Sequence, residues 1–134
     1  MIVLDASVLI KWFIQEVDSK LALKLKEGLL RDKINIAVPD LILYEILNVL
    51  RFKAGITQEA IETVLPALFT LGLEIITPSQ RLLREALYLS FASGLSIYDC
   101  IYIALANELN AFLITADKQI VKQAKPLSKV KPLT

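Results

Sequence analysis

A parallel, helix-flanked α/β sheet is the fold class this sequence predicts, on three observations. Short apolar runs recur without polar alternation, as in strands buried on both faces, Ile2-Val3-Leu4 being the first. Longer segments with helical period and recognisable caps separate those runs. Strand and helix then alternate through all 134 residues with no repeat, low-complexity tract or long linker, which is the pattern of parallel α/β units. That length, with 55% apolar residues, supports one core and hence one domain over residues 1–134.

The elements follow from punctuation and period. After the strand at 2–4, two helical segments are expected. The second lies near 17–31, where Glu16 precedes Lys20 and Glu27 precedes Arg31 at the four-residue spacing of surface pairs. Residues 34–38 read as the second strand. Pro39-Asp40 opens a helix that runs to about residue 54 and ends at Gly55. Thr57 can cap the next helix, which Pro66 should kink before Gly72 ends it. Residues 74–77 form a third strand. A helix at 79–93, another after Ser96, a strand at 112–115 and a short helix after Asp117 follow, and an edge strand near 129–131 can close the list.

Composition excludes several function classes. Fifteen Lys and Arg against fourteen Asp and Glu leave a net charge of +1, so bulk charge does not select a polyanionic partner. Lys118, Lys122, Lys125, Lys129 and Lys131 make the C-terminal end locally basic, either as a phosphate-facing patch or as a solvated lysine face. The lone Cys100 permits no internal disulfide and reads as a small core residue. Histidine is absent, which removes imidazole-dependent triads, the commonest general base and histidine-rich zinc sites. Chemistry here must run on carboxylates.

Residues 86–107 carry one charge in twenty-two positions, nominally enough to span a membrane. Asp99 would then sit near the bilayer centre at a cost of about 2.5–3.5 kcal/mol, and Ser93-Gly94 reads as a helix stop. Two buried helices of a soluble protein fit better. The N-terminus has no basic n-region and carries Asp5 within its apolar stretch, unlike a signal peptide, so a cytoplasmic protein is expected.

The acids divide into two kinds. Glu16, Glu27 and Glu85 have Lys20, Arg31 and Arg81 at helical spacing and read as solvated pairs. Asp5, Glu45, Asp99 and Asp117 have no such partner. Asp5 follows the first strand and Asp117 follows "FLIT", both at carboxyl ends, where open parallel sheets place ligands. Glu45 projects from an apolar helix face, with Leu41, Ile42, Asn48 and Val49 around it, and Asp99 has Leu95, Ser96, Tyr102 and Ile103. Each has a structural alternative. Asp99 completes a capping-box pattern with Ser96, Asp117 can cap the last helix, and Asp5 can be a turn residue. Glu45 is hardest to explain so, since an uncompensated buried charge is costly. If the four converge, repulsion raises their pKa values unless a cation neutralises them, and hard oxygen donors suit Mg²⁺ or Mn²⁺.

With these residues in view, the chain resembles the PIN-domain nucleases, most closely the small ribonuclease toxins of the VapC type. "IVLDASVLI" is similar to the family's opening strand and first acid, and "VPDLILYEILNVL" to the helix with the second. "LSIYDCIYIALA" matches the third and "FLITADKQI" the last strand and fourth acid. The resemblance covers the whole chain and implies a five-stranded parallel sheet, with metal binding and catalysis on Asp5, Glu45, Asp99 and Asp117. Ser7 and Thr115 would add hydroxyl support. Asn48 suits the family pattern or is a core amide bonded to backbone.

The resemblance implies a Mg²⁺- or Mn²⁺-dependent endoribonuclease, the toxin of a toxin–antitoxin pair, with RNA as substrate, a cognate antitoxin over the groove and 5′-phosphate products. It also places a homodimer contact on residues 40–71, and high apolar content in a short chain independently favours a dimer. Metal-activated water attack needs no imidazole, and without histidine a histidine-driven 2′-hydroxyl cyclisation is excluded. Lys11, Arg51, Lys53 and Lys118 could guide the RNA backbone or simply be solvated. Two rivals remain: a catalytically silent PIN-fold dimerisation or RNA-binding module, and a small phospho-receiver-like signalling domain. The receiver reading lacks a phosphorylatable Asp after strand three, which ends in Thr77-Pro78.

Overall fold

A computed structural model of the chain describes residues 1–124 and 129–134. Five strands form one parallel sheet: β1 (Ile2–Leu4), β2 (Ile36–Pro39), β3 (Glu74–Ile76), β4 (Phe112–Thr115) and β5 (Val130–Pro132). Their order is β3-β2-β1-β4-β5. The two strands with no polar side chain, β1 and β2, sit inside the sheet, and all four residues of β2 are buried. The short β3 and β5 take the edges and are more exposed. Ile2 lies in register with Ile36 on one side and Phe112 on the other.

Helices fill every crossover. After β1 come a one-turn helix α1 (Ala6–Leu9), a 3₁₀ turn at Ile10–Trp12 and α2 (Ser19–Leu30). α3 (Leu41–Phe52) and α4 (Gln58–Thr70) join β2 to β3, α5 (Gln80–Ser93) and α6 (Ile97–Glu108) join β3 to β4, and α7 (Lys118–Ala124) leads towards β5. Local chemistry accounts for most boundaries. Thr57, Ser79 and Ser96 accept the amides of Ala60, Leu82 and Asp99 at 3.1–3.2 Å, each capping a first turn. Gly94, at φ 79, ends α5 in the left-handed conformation that glycine adopts without a Cβ penalty. Pro66 lies inside α4 without ending it.

The chain runs outward from β1 through β2 to β3, then returns to place β4 on the other side of β1. The order therefore reverses between β1 and β4, and in open parallel sheets a crevice opens at that switch point, beyond the carboxyl ends of the strands. α6 packs on α5 and against β1, β2 and β4. It is buried from Tyr102 to Ala106, which explains its nearly unbroken apolar sequence.

The apolar run at 86–107 is indeed two helices, α5 and α6, with axes turned by 118° at the Gly94 break. Among the described residues no single helix is long and apolar enough to cross a membrane. Two expected surface pairs are replaced. Glu16 pairs with Lys11 at 3.4 Å instead of Lys20, because the 3₁₀ turn folds Lys11 back over the start of α2. Glu85 accepts from Asn107 Nδ2 at 3.2 Å across the α5–α6 contact, not from Arg81. The Glu27–Arg31 pair forms, at 2.9 Å. At the basic end, Lys131 lies 3.9 Å from the Phe112 ring centroid and Lys129 donates to Asn110 Oδ1 at 2.7 Å, so these two serve local packing. Lys125 falls outside the described residues.

Candidate active site

The residue after β1 is Asp5, and the two residues after β4 are Ala116 and Asp117. Both acids therefore stand at the switch point. Asp5 is 3% exposed and caps α1, accepting the Val8 amide at 3.3 Å. Ser7 Oγ donates to Asp5 Oδ1 at 2.5 Å and Thr115 Oγ1 donates to Oδ2. Each hydroxyl also accepts a backbone amide: Ser7 from Ala116 at 2.9 Å, Thr115 from Asp117 at 3.0 Å. Because a hydroxyl has one proton, those amides leave each free to donate it to Asp5, and three donors suit an ionised carboxylate. Burial nonetheless dominates. It raises the Asp5 pKa from 3.8 to about 6 against the Ser7, Thr115 and Val8 hydrogen bonds, and nearby Asp117 pushes it the same way.

Asp117 caps α7 through Oδ1, which accepts the amides of Gln119 at 2.9 Å and Ile120 at 3.4 Å. Asp99 stands in the first turn of α6, its own amide bound to Ser96 Oγ. Burial raises its pKa, the Ser96 hydroxyl opposes the rise, and Asp117 adds to it. Glu45, midway along α3, accepts a hydrogen bond from Tyr102 Oη. Its pKa is also raised, first by burial, then by Asp99, with the Tyr102 bond acting against both. The capping alternative for Asp117 is thus correct as far as it goes, and Asp5, expected at most as a turn residue, is also a helix cap. Capping of α7 uses only Oδ1 of Asp117, and both residues still line the crevice.

All four acids line a single pocket of about 170 Å³ together with Ala6, Ser7, Tyr102 and Ile120. Thr115 lies behind it, fully buried. Among the described residues no Lys or Arg forms an ion pair with any of the four. No three acidic side chains are posed there as a ready-made metal cluster. The donor set fits a hard divalent cation even so: it is all oxygen, half or fully withdrawn from water, and electrically uncompensated. A larger concavity of about 500 Å³ between α3 and α4, lined by Leu47, Arg51, Ile56, Gln58, Ile61 and Glu62, holds no such constellation.

Asn48 is not the core amide that was one expectation for it. It is exposed, one turn along α3 from Glu45, and lines a neighbouring groove instead of the acid pocket or the core. The exposed surface of α3 at that point explains this. Lys11, held by Glu16 and by the Val17 carbonyl at 2.7 Å, is not free to meet a backbone, whereas Lys118 is exposed beside Asp117. Cys100 is fully buried with its thiol pKa raised by burial, as befits a core residue.

Tyr102 is the site residue that sequence reasoning did not single out. Its position three residues after Asp99 puts both on one face of α6, and a phenol in reach of a half-buried carboxylate is the partner Glu45 needed.

Comparison with known proteins agrees with this geometry. Among solved structures, a toxin–antitoxin complex from Klebsiella pneumoniae superposes with a TM-score of 0.73 at 20% identity, covering 98% of this chain and 96% of that one. VapBC2 from Rickettsia felis, bound to a DNA fragment from its promoter, gives 0.72 at 20% identity with full coverage of both chains. VapBC-5 from Mycobacterium tuberculosis gives 0.61 at 24% identity, covering 98% and 96%. At these identities the likeness speaks for the fold. A search of curated proteins found no match. The PIN domain family model matches residues 2–126, from the first strand through the last of the four acids, and the chain belongs to that family.

Proposed function

We propose that this chain is a metal-dependent endoribonuclease of the VapC type, the toxin of a toxin–antitoxin pair. The observation that carries the reading is the gathering of Asp5, Glu45, Asp99 and Asp117, from four separate elements, into one pocket with no ion-paired cation among the described residues. Structural neighbours that are toxin–antitoxin complexes support the biological half of it.

Asp5, Glu45, Asp99 and Asp117 would hold Mg²⁺ or Mn²⁺. Such an ion supplies Lewis acidity toward a phosphodiester and a lowered pKa for its bound water. The chain's own residues do the positioning. Ser7 and Thr115 fix both oxygens of Asp5, the cap of α7 fixes Asp117, and Tyr102 holds Glu45 by its hydroxyl. A network with each member tied to the backbone or a buried partner keeps the carboxylates in place before substrate arrives. RNA is the substrate, cleaved by attack of water with 5′-phosphate products, since no imidazole is present to drive 2′-hydroxyl cyclisation.

A cognate antitoxin and a second copy of the chain are the expected partners. Exposed Val49, Phe52, Leu65 and Phe69 on α3 and α4 favour a homodimer through that helical pair. The cytoplasm, which holds RNA and keeps thiols such as Cys100 reduced, is the fitting compartment.

The test is cleavage of RNA by the purified chain with Mg²⁺ or Mn²⁺, with and without chelator, beside Asp5→Asn and Asp99→Asn. Activity that needs metal and vanishes in both variants supports the proposal. Cleavage that survives chelation and both substitutions sinks it.

A further inference from the structure

Each of the two helical acids is preceded by a tyrosine: Tyr44-Glu45 on α3 and Tyr98-Asp99 on α6. One step along a helix turns a side chain by about 100°, so when the acid enters the crevice its neighbour must face elsewhere. The fold uses both rings in the same way. Tyr44 is 68% exposed and Tyr98 62%, and they line one open groove of about 470 Å³ with Leu41, Glu45 and Asn48. Glu45 also lines the acid pocket, so the groove and the pocket adjoin at that side chain.

We propose that this groove is a base-stacking subsite: a nucleobase next to the cleaved phosphate of a single-stranded RNA lies against Tyr44 and Tyr98, and the Asn48 amide reads its edge. The inference rests on the nuclease reading of the acid pocket and extends it to substrate class. Four observations select this occupant. The groove is continuous with the acids, so a strand whose phosphate is at the acids has its next nucleotide within reach. Among the described residues its lining has no cation, which makes it a poor phosphate site. Aromatic faces bind any base by stacking and need the base unpaired, so a duplex is disfavoured. Asn48 offers both a donor and an acceptor where a base edge would fall. It also gives the exposed Asn48, which supports neither core nor acid pocket, a role.

The test uses the full chain and separates binding from cleavage. Affinity for a short fluorescein-labelled single-stranded RNA is read by anisotropy in EDTA, and kcat and KM by cleavage of the same RNA with Mn²⁺. Tyr44→Ala and Tyr98→Ala should each weaken single-strand binding roughly tenfold and raise KM in step, as loss of one stacking ring does. Tyr44→Phe and Tyr98→Phe should stay within about twofold of the parent, because stacking needs the ring and not the hydroxyl. Affinity for the same RNA as a duplex should not respond. Both tyrosines are exposed, so unchanged melting temperatures of the variants establish folding. The subsite is overturned if the alanine variants bind single strands as tightly as the parent, if phenylalanine fails as alanine does, if duplex binding falls equally, or if the parent binds no single-stranded RNA. A parent that binds as described but never cleaves overturns the nuclease reading and leaves the stacking groove standing.

Discussion

Thr115 donates its hydroxyl to the carboxylate of Asp5 across 110 positions of sequence, joining the end of β4 to the end of β1. The same oxygen accepts the Asp117 amide at 3.0 Å, so one buried side chain sets two of the four acids. Replacing it by valine keeps the shape and removes both bonds. Thr115→Val should cost about 1–3 kcal/mol in denaturant unfolding, the usual penalty for stranding buried partners. It should also raise the Asp5 pKa further, since the Thr115 bond acts to lower it. An unchanged unfolding midpoint would count against the network.

Asp5 makes the metal-free chain's stability depend on pH. Its folded pKa of about 6 exceeds the ordinary 3.8, so the folded state prefers the protonated acid. That contribution is complete below about pH 3.8 and disappears as pH rises through 6, at about 1.36 kcal/mol per pH unit of separation, on the order of 3 kcal/mol in all. Asp5→Asn is neutral throughout. In EDTA its melting temperature should therefore gain on the parent between pH 4 and pH 8, and a pH-independent difference would refute the sign.

Tyr102→Phe removes the hydrogen bond to Glu45 and nothing else of size. The Glu45 pKa should rise, because that bond opposes the effects of burial and of Asp99. If Glu45 holds metal as proposed, loss of its orienting partner should cost about 10–100-fold in metal affinity, and Mn²⁺ titration followed by calorimetry should show a weakening of that order. Stability should change less than in Thr115→Val, since the ring still fills its buried site and Glu45, only half-buried, can bond to water instead.

Ile103 is fully buried in α6, the helix that packs on β1, β2 and β4 and carries Asp99. Ile103→Ala should destabilise by about 2–5 kcal/mol, through lost burial and the cavity left. Urea unfolding checks this, with cleavage measured well below the midpoint expected to remain.

Much of the fold was legible in the chain because its signals are local. Serine, threonine and glycine mark the helix ends they were expected to mark, since a cap is a contact over three residues. The single-strand runs needed only their apolar character. Surface pairing was less legible. Glu16 and Glu85 took partners from a turn and from another helix, where spacing along one helix carries no information. Asn48 shows the same limit, since burial at a given position of a helix depends on what packs there.

The α/β alternation, the serine and threonine helix caps, the absence of imidazole chemistry and the four acids that lack a local cation were written in the amino-acid sequence, whereas the exact ends of β2 and α3 were not. The former follow from period, capping and composition. Only the tertiary structure decided that the acids meet. The strand order reverses between β1 and β4, which sets Asp5 beside Asp117, and α6 lies on the sheet so that Tyr102 reaches Glu45. It also brought Tyr44 and Tyr98 to one groove. Such meetings depend on how the chain crosses over, and a crossover joins residues that no local interaction relates.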